Sequence, residues 1–96
     1  MQTVRLGRTE LVVSRVGFGA IPIQRLNEDD AVTVIRRCLE LGVTYLDTAN
    51  AYSTSEGRIG VALQGWTKKV VLSTKTQSRT AEGVAAHLAQ SLKMMR

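Results

Sequence analysis

Short apolar runs alternate with longer segments of helical spacing along this chain, and that alternation restricts the fold more than any other feature. Val16 to Ala20, Val43 to Leu46 and Val70 to Ser73 are four or five residues long, the length of buried strands. Each is followed by a helical pattern. Asn27 is a good N-cap, Glu28, Asp29 and Asp30 suit the positive end of a helix, and Ala31, Ile35, Cys38 and Leu39 recur at helical spacing before Gly42 ends the run. Ile59, Ala62 and Leu63 mark a shorter helix closed by Gly65, and Thr80 caps a third whose stripe is Ala81, Val84, Ala85, Leu88 and Leu92. Three strand-helix units in succession predict parallel strands joined by right-handed crossovers, an α/β fold. Ahead of them, Thr3 to Ser14 reads as a hairpin about a Gly7-Arg8-Thr9-Glu10 turn, and Pro22 forces a loop after the first buried strand.

Composition removes several function classes. An apolar fraction of 44% with 22% charged residues is that of a globular protein. The net charge is +5, but basic residues never run longer than the pairs Arg36-Arg37 and Lys68-Lys69, and aromatic residues are scarce. A nucleic-acid surface would need a basic stripe, so no nucleic-acid partner is expected. Cys38 is the one cysteine; it excludes an internal disulfide or a cysteine metal cluster within this sequence and suits a reducing compartment, with the cytoplasm as the expected location. The N-terminus lacks the apolar stretch of a signal peptide, and no apolar run approaches the roughly 18 residues of a membrane span.

In parallel α/β folds, ligands sit at the carboxyl ends of the strands, where Asp47, Tyr52 and Lys75 all fall. Alternation puts Tyr45 and Asp47 on one face of their strand, and Val71, Ser73 and Lys75 on one face of the next, so Asp47 and Lys75 can meet. An ammonium beside a phenol stabilises its phenolate and makes the phenol a better acid. The trio therefore outlines a proton-transfer site in which Tyr52 donates, Lys75 tunes it, and Asp47 neutralises and orients Lys75. A structural ion pair beside a surface tyrosine is the alternative that spacing alone leaves open.

The motifs Leu6-Gly7-Arg8-Thr9-Glu10-Leu11, Val16-Gly17-Phe18-Gly19, Gly42-Val43-Thr44-Tyr45-Leu46-Asp47-Thr48-Ala49, Tyr52-Ser53-Thr54-Ser55-Glu56, Ile59-Gly60 and Ser73-Thr74-Lys75 resemble, in order and spacing, those of the aldo-keto reductases. The Gly19-to-Leu26 stretch is similar to a bacterial and archaeal branch, some members of which carry a C-terminal iron-sulfur module. The resemblance covers essentially the whole chain. It implies the N-terminal portion of a (β/α)8 TIM barrel, a fold that normally takes roughly 250 residues, so that residues 1–96 form part of a single barrel domain incomplete at the C-terminus. It also implies NADPH as cofactor, bound without a dinucleotide glycine loop, and Gly17 and Gly19 do not continue into GxGxxG. Tyr52 is then the proton donor to a small-molecule carbonyl substrate, Asp47 and Lys75 assist it, and Gly19, Ala20, Ile21 and Asp47 lie near the cofactor. Glu56 supports the loop or the second helix. The family's catalytic histidine, at the end of a fourth strand, would follow Arg96.

Other residues have plainer readings. His87 lies about 100° or more from the centre of the third helix's apolar stripe and is expected to be solvated. Cys38 belongs to a helix core, Trp66 packs locally near the opposite rim, and Lys68 and Lys69 form a solvated edge. A second function is weighed against the reductase: a non-catalytic nucleotide-binding or assembly module that self-associates to bury two open sheet edges.

Overall fold

The structure, a computed structural model, describes residues 1–96. An antiparallel hairpin of β1 (Thr3–Arg5) and β2 (Val12–Ser14) opens the chain, pairing Thr3 with Ser14 and Arg5 with Val12. Its turn is held locally: Arg5 Nε donates to the Thr9 carbonyl at 2.6 Å and Thr9 Oγ1 to the Leu6 carbonyl at 2.6 Å. Ser14 fastens the hairpin to the body, its N–H donating to Thr44 Oγ1 at 2.8 Å while Thr44 N–H donates to Ser14 Oγ at 2.9 Å.

Three parallel strands follow, β3 (Phe18–Gly19), β4 (Tyr45–Asp47) and β5 (Val71–Ser73), in spatial order β3-β4-β5. Their register aligns Phe18 with Leu46 and Leu72, and Gly19 with Asp47 and Ser73. Each connection carries a helix: α1 (Glu28–Glu40) and α2 (Ser55–Ala62) join the strands, and α3 (Ala81–Met95) follows β5. The expected caps form, with Asn27 Oδ1 accepting from Asp30 N–H and Thr80 Oγ1 from Gly83 N–H. Gly42 adopts φ 97°, a left-handed conformation that costs a side chain strain, and turns the chain from α1 toward β4.

Ala31 and Ile35 on α1, Leu46 on β4 and Ile59 and Ala62 on α2 are completely buried, and together with Leu39, Val43 and Met95 they fill the space between sheet and helices. Each large aliphatic side chain contributes about 1.5–3 kcal/mol by leaving water. Cys38 and Trp66 sit half-buried against this core. Arg36 closes α2 from outside, donating to the carbonyls of Ala62 and Gln64 at 3.1 Å each.

Two sequence expectations are corrected. Pro22 begins a 3-10 turn, Pro22–Arg25, that buries Ile23; Arg58 holds it by donating to the carbonyls of Ile23 and Leu26. The second correction concerns α3. Within residues 1–96 its apolar stripe is left uncovered, Val84, Leu88 and Leu92 being exposed at 40%, 55% and 64%, and the side that docks on α2 is the one carrying buried Ser91 and Met95 and half-buried His87. The helix is held by its C-terminal end, where Gly60 on α2 lets the Met94 backbone come into contact. His87 is therefore half-buried rather than fully solvated, and Thr76 Oγ1 lies 2.5 Å from its Nδ1.

Ala in place of Gly stabilises an open helix by about 1 kcal/mol. At position 60 the added Cβ would run into the Met94 carbonyl oxygen, so Gly60→Ala is expected to lower stability in denaturant unfolding. Leu46→Ala, by cavity formation, should lose about 2–5 kcal/mol in the same measurement.

Candidate functional site

The strand register that buries Leu46 turns its neighbour Asp47 to the opposite face of β4, at the carboxyl end of the sheet. Past that end the backbone pairing continues: Ala20 N–H donates to the Asp47 carbonyl at 2.9 Å, Thr48 N–H to Ser73 at 2.8 Å and Asn50 N–H to Lys75 at 3.0 Å. The loops after all three strands are thus tied together before their side chains are considered.

Lys75 Nζ lies 3.0 Å from Asp47 Oδ2 and donates to the Thr48 carbonyl at 2.5 Å. It also sits 5.0 Å from the centroid of the Tyr52 ring. The three residues named from the sequence are therefore brought together, on the solvent-facing side of the strand ends. Tyr52 is placed by a tight turn, its N–H donating to the Ala49 carbonyl at 3.0 Å and its carbonyl accepting from Ser55 N–H at 2.8 Å. Ser53 takes φ 36° to complete that turn and anchors it by donating to Gln24 Oε1 at 2.8 Å.

The electrostatics run in one direction. Partial burial opposes ionisation of Asp47, but hydrogen bonds from Lys75 and Ser73 and the Lys75 charge outweigh it and hold the carboxyl below its ordinary range. For Lys75, the hydrogen bond to Asp47 outweighs desolvation and raises its affinity for a proton, with smaller contributions from the Asp47 charge and from Tyr52. Both groups are accordingly charged near neutral pH.

Gly19 and Ile21 are exposed beside Asp47, and a Cβ added at Gly19 would meet no atom within 4 Å, which leaves an open ledge. Ala20 is different. At 1% exposure it lies beneath that ledge, its carbonyl accepting from Ser55 Oγ at 3.0 Å. Glu56 is also buried, at 5% exposure, and its Oε2 accepts from Thr74 Oγ1 at 2.7 Å.

Sequence reasoning did not single out Thr48, Ser55 or Thr74, whose hydroxyls link these loops. Thr48 and Ser55 are completely buried, with their hydroxyl oxygens 2.7 Å apart. Because the single Ser55 proton goes to the Ala20 carbonyl, Thr48 must be the donor to Ser55. One signal was available: two polar residues, Ser55 and Glu56, directly precede the apolar spacing of Ile59 and Ala62.

The profile of the Aldo/keto reductase family matches residues 15–96. The uncharacterized oxidoreductase YqkF of Bacillus subtilis (strain 168) is 32% identical over 85 residues, 86% of this chain and 28% of that protein. L-galactose dehydrogenase of Arabidopsis thaliana is 42% identical over 65 residues, 62% of this chain and 20% of that protein. Among solved structures, the holo form of aldo-keto reductase AKR11C1 from Bacillus halodurans superposes with a TM-score of 0.87 at 29% identity, over 99% of this chain and 36% of that one. This chain belongs to the aldo-keto reductase family, and its hairpin and βα units are part of that family's TIM-barrel fold. It spans only about a quarter of the length of these curated relatives and about a third of the superposed barrel. No helix is long and apolar enough to cross a membrane.

Asp47→Asn removes the chief stabiliser of the Lys75 ammonium, so the Lys75 titration midpoint, followed by NMR at the side chain, should fall. The sign of the pH effect follows from the two shifts. A lowered carboxyl contributes stability above its unfolded pKa that is lost as pH falls through the folded value; a raised lysine contributes below its unfolded pKa and loses it as pH rises through the folded value. The pair should therefore contribute a constant amount between about pH 4 and pH 10, of at most about 1 kcal/mol because both side chains are about half exposed. Unfolding of wild type and Asp47→Asn across pH should show that plateau and its loss at both ends.

Proposed function

We propose that these residues form the front of an NADPH-dependent carbonyl reductase, acting in a complete barrel of which residues 1–96 are the N-terminal part. The observation that carries the reading is the joint placement of Asp47, Lys75 and Tyr52: an ion pair of 3.0 Å whose ammonium lies 5.0 Å from the tyrosine ring. In this reading Tyr52 holds the proton for the oxygen of an aldehyde or ketone, delivered as the carbonyl becomes an alcohol. Lys75 stabilises the phenolate left behind, and Asp47 keeps Lys75 charged and aimed. Desolvation inside a closed barrel would strengthen each of these interactions.

The ledge at Gly19 and Ile21, beside Asp47, fits the face of a flat nicotinamide, since no side chain covers it. Those residues and Asp47 would hold the cofactor, with Ala20 supporting them from beneath. The reduced nicotinamide, when bound, supplies hydride to the carbonyl carbon. We assign NADPH on the family's pattern, together with a small-molecule carbonyl substrate and a cytoplasmic location.

A second reading, a non-catalytic assembly module, would rest on the apolar stripe of Val84, Leu88 and Leu92, which α3 leaves uncovered within residues 1–96. It predicts concentration-dependent self-association of the 96-residue chain that Leu92→Glu weakens, measured by sedimentation, with no carbonyl reduction by the complete protein.

The deciding experiment compares the complete protein with its Tyr52→Phe variant. Loss of NADPH-dependent reduction across a panel of aldehydes and ketones, with NADPH binding preserved by fluorescence titration, is expected. Turnover at the wild-type rate in Tyr52→Phe would overturn the assignment.

A further inference from the structure

We propose that Glu56 and Thr74 are positioning residues that set the direction of Lys75, an inference that rests on the reductase reading above. Glu56 stands in the first turn of α2, where a carboxylate is favoured by the helix dipole but has no need to leave water. It is nevertheless buried, and burying a carboxylate is costly without a dedicated partner. That partner is the Thr74 hydroxyl at 2.7 Å.

The position of Thr74 gives the contact its consequence. Successive side chains along an extended segment point to opposite faces, so Thr74 faces the helices when its neighbours Ser73 and Lys75 face the strand-end surface. Lys75 bonds Asp47 from that side at 3.0 Å, and Ser73 is the residue paired with Asp47 across the strands. Gripping Thr74 from the helix side therefore fixes the rotation of the backbone that carries Lys75. The preceding residue of the same turn acts on the other half of the pair: Ser55 is bonded to Thr48, whose carbonyl receives the Lys75 ammonium. Two adjacent residues of α2 thus hold both sides of the lysine's seat, Ser55 through β4 and Glu56 through β5.

Thr74→Val keeps the shape of the side chain and removes the donor, leaving the buried Glu56 carboxylate without its bond. Displacement of reacting groups by about an ångström can cost up to roughly a hundredfold in rate. In the complete protein, Thr74→Val is expected to lower kcat by about ten- to a hundredfold, with the NADPH dissociation constant within about twofold of wild type. It should also displace the limb of the pH–rate profile that reports the proton donor, an effect that loss of stability alone would not produce. Thr74→Ser, which restores the hydroxyl, should return both the rate and the profile. Should Thr74→Val not fold, Glu56→Met and Glu56→Gln make the same comparison, because the amide still offers an oxygen to Thr74; Met should lose activity and Gln should keep it. Tyr52→Phe is measured alongside. If Tyr52→Phe is inactive while Thr74→Val matches wild type in rate and profile, or Thr74→Ser is as impaired as Thr74→Val, the positioning role is overturned and the reductase reading stands. If Tyr52→Phe turns over at the wild-type rate, both fall together.

Discussion

The parallel pairing of β4 with strands on both sides is the constraint on which the rest of the structure depends. Its three residues carry opposite demands: Leu46 must be buried, and Asp47 must reach the carboxyl end of the sheet with its charge accessible. Strand geometry satisfies both because adjacent side chains point to opposite faces. A slip of one residue would exchange them, placing a carboxylate in the core and a leucine in the site. The core side chains of α1 and α2 hold the register against such a slip, since they enclose Leu46 and leave no comparable space for Asp47.

Pairing alone aligns the strand ends without holding the loops beyond them. That task falls to short polar side chains used as cross-links, from Thr48 to Ser55, Ser55 to Ala20, and Thr74 to Glu56. Buried polar groups are costly when unpaired, so a fully satisfied set tolerates few alternative arrangements. A site whose members lie on three separate loops needs that kind of rigidity, and α2 supplies it from its first turn. Tyr52 sits in the loop just before that turn, so the helix that braces Lys75 also fixes the start of the tyrosine's position.

Much of this was legible in local patterns. The hairpin, the three apolar strands, the caps at Asn27 and Thr80 and the turn at Gly42 are set by near neighbours, and the structure has them all. The meeting of Asp47 and Lys75 was legible because parallel strands of known period leave few choices of face. The direction of α3 was not. Its apolar stripe is the stronger local signal, but the side that docks is chosen by Gly57 and Gly60 on α2, where Met94 can approach, and by Thr76, which bonds His87. For the same reason the turn at Pro22 read as irregular: the arginine that organises it, Arg58, lies more than thirty residues along the chain.

The sequence by itself determined the elements, their order, the family and the identity of the three residues around which the chemistry is proposed, because these follow from short-range spacing and from side-chain types. Only the tertiary structure decided which groups connect the loops, which face of α3 is buried, and that Glu56 and Ser55 stand behind the ion pair. Those outcomes depend on hydrogen bonds and close approaches between segments 7 to 35 residues apart, and no local periodicity records which donor will find which acceptor across such distances.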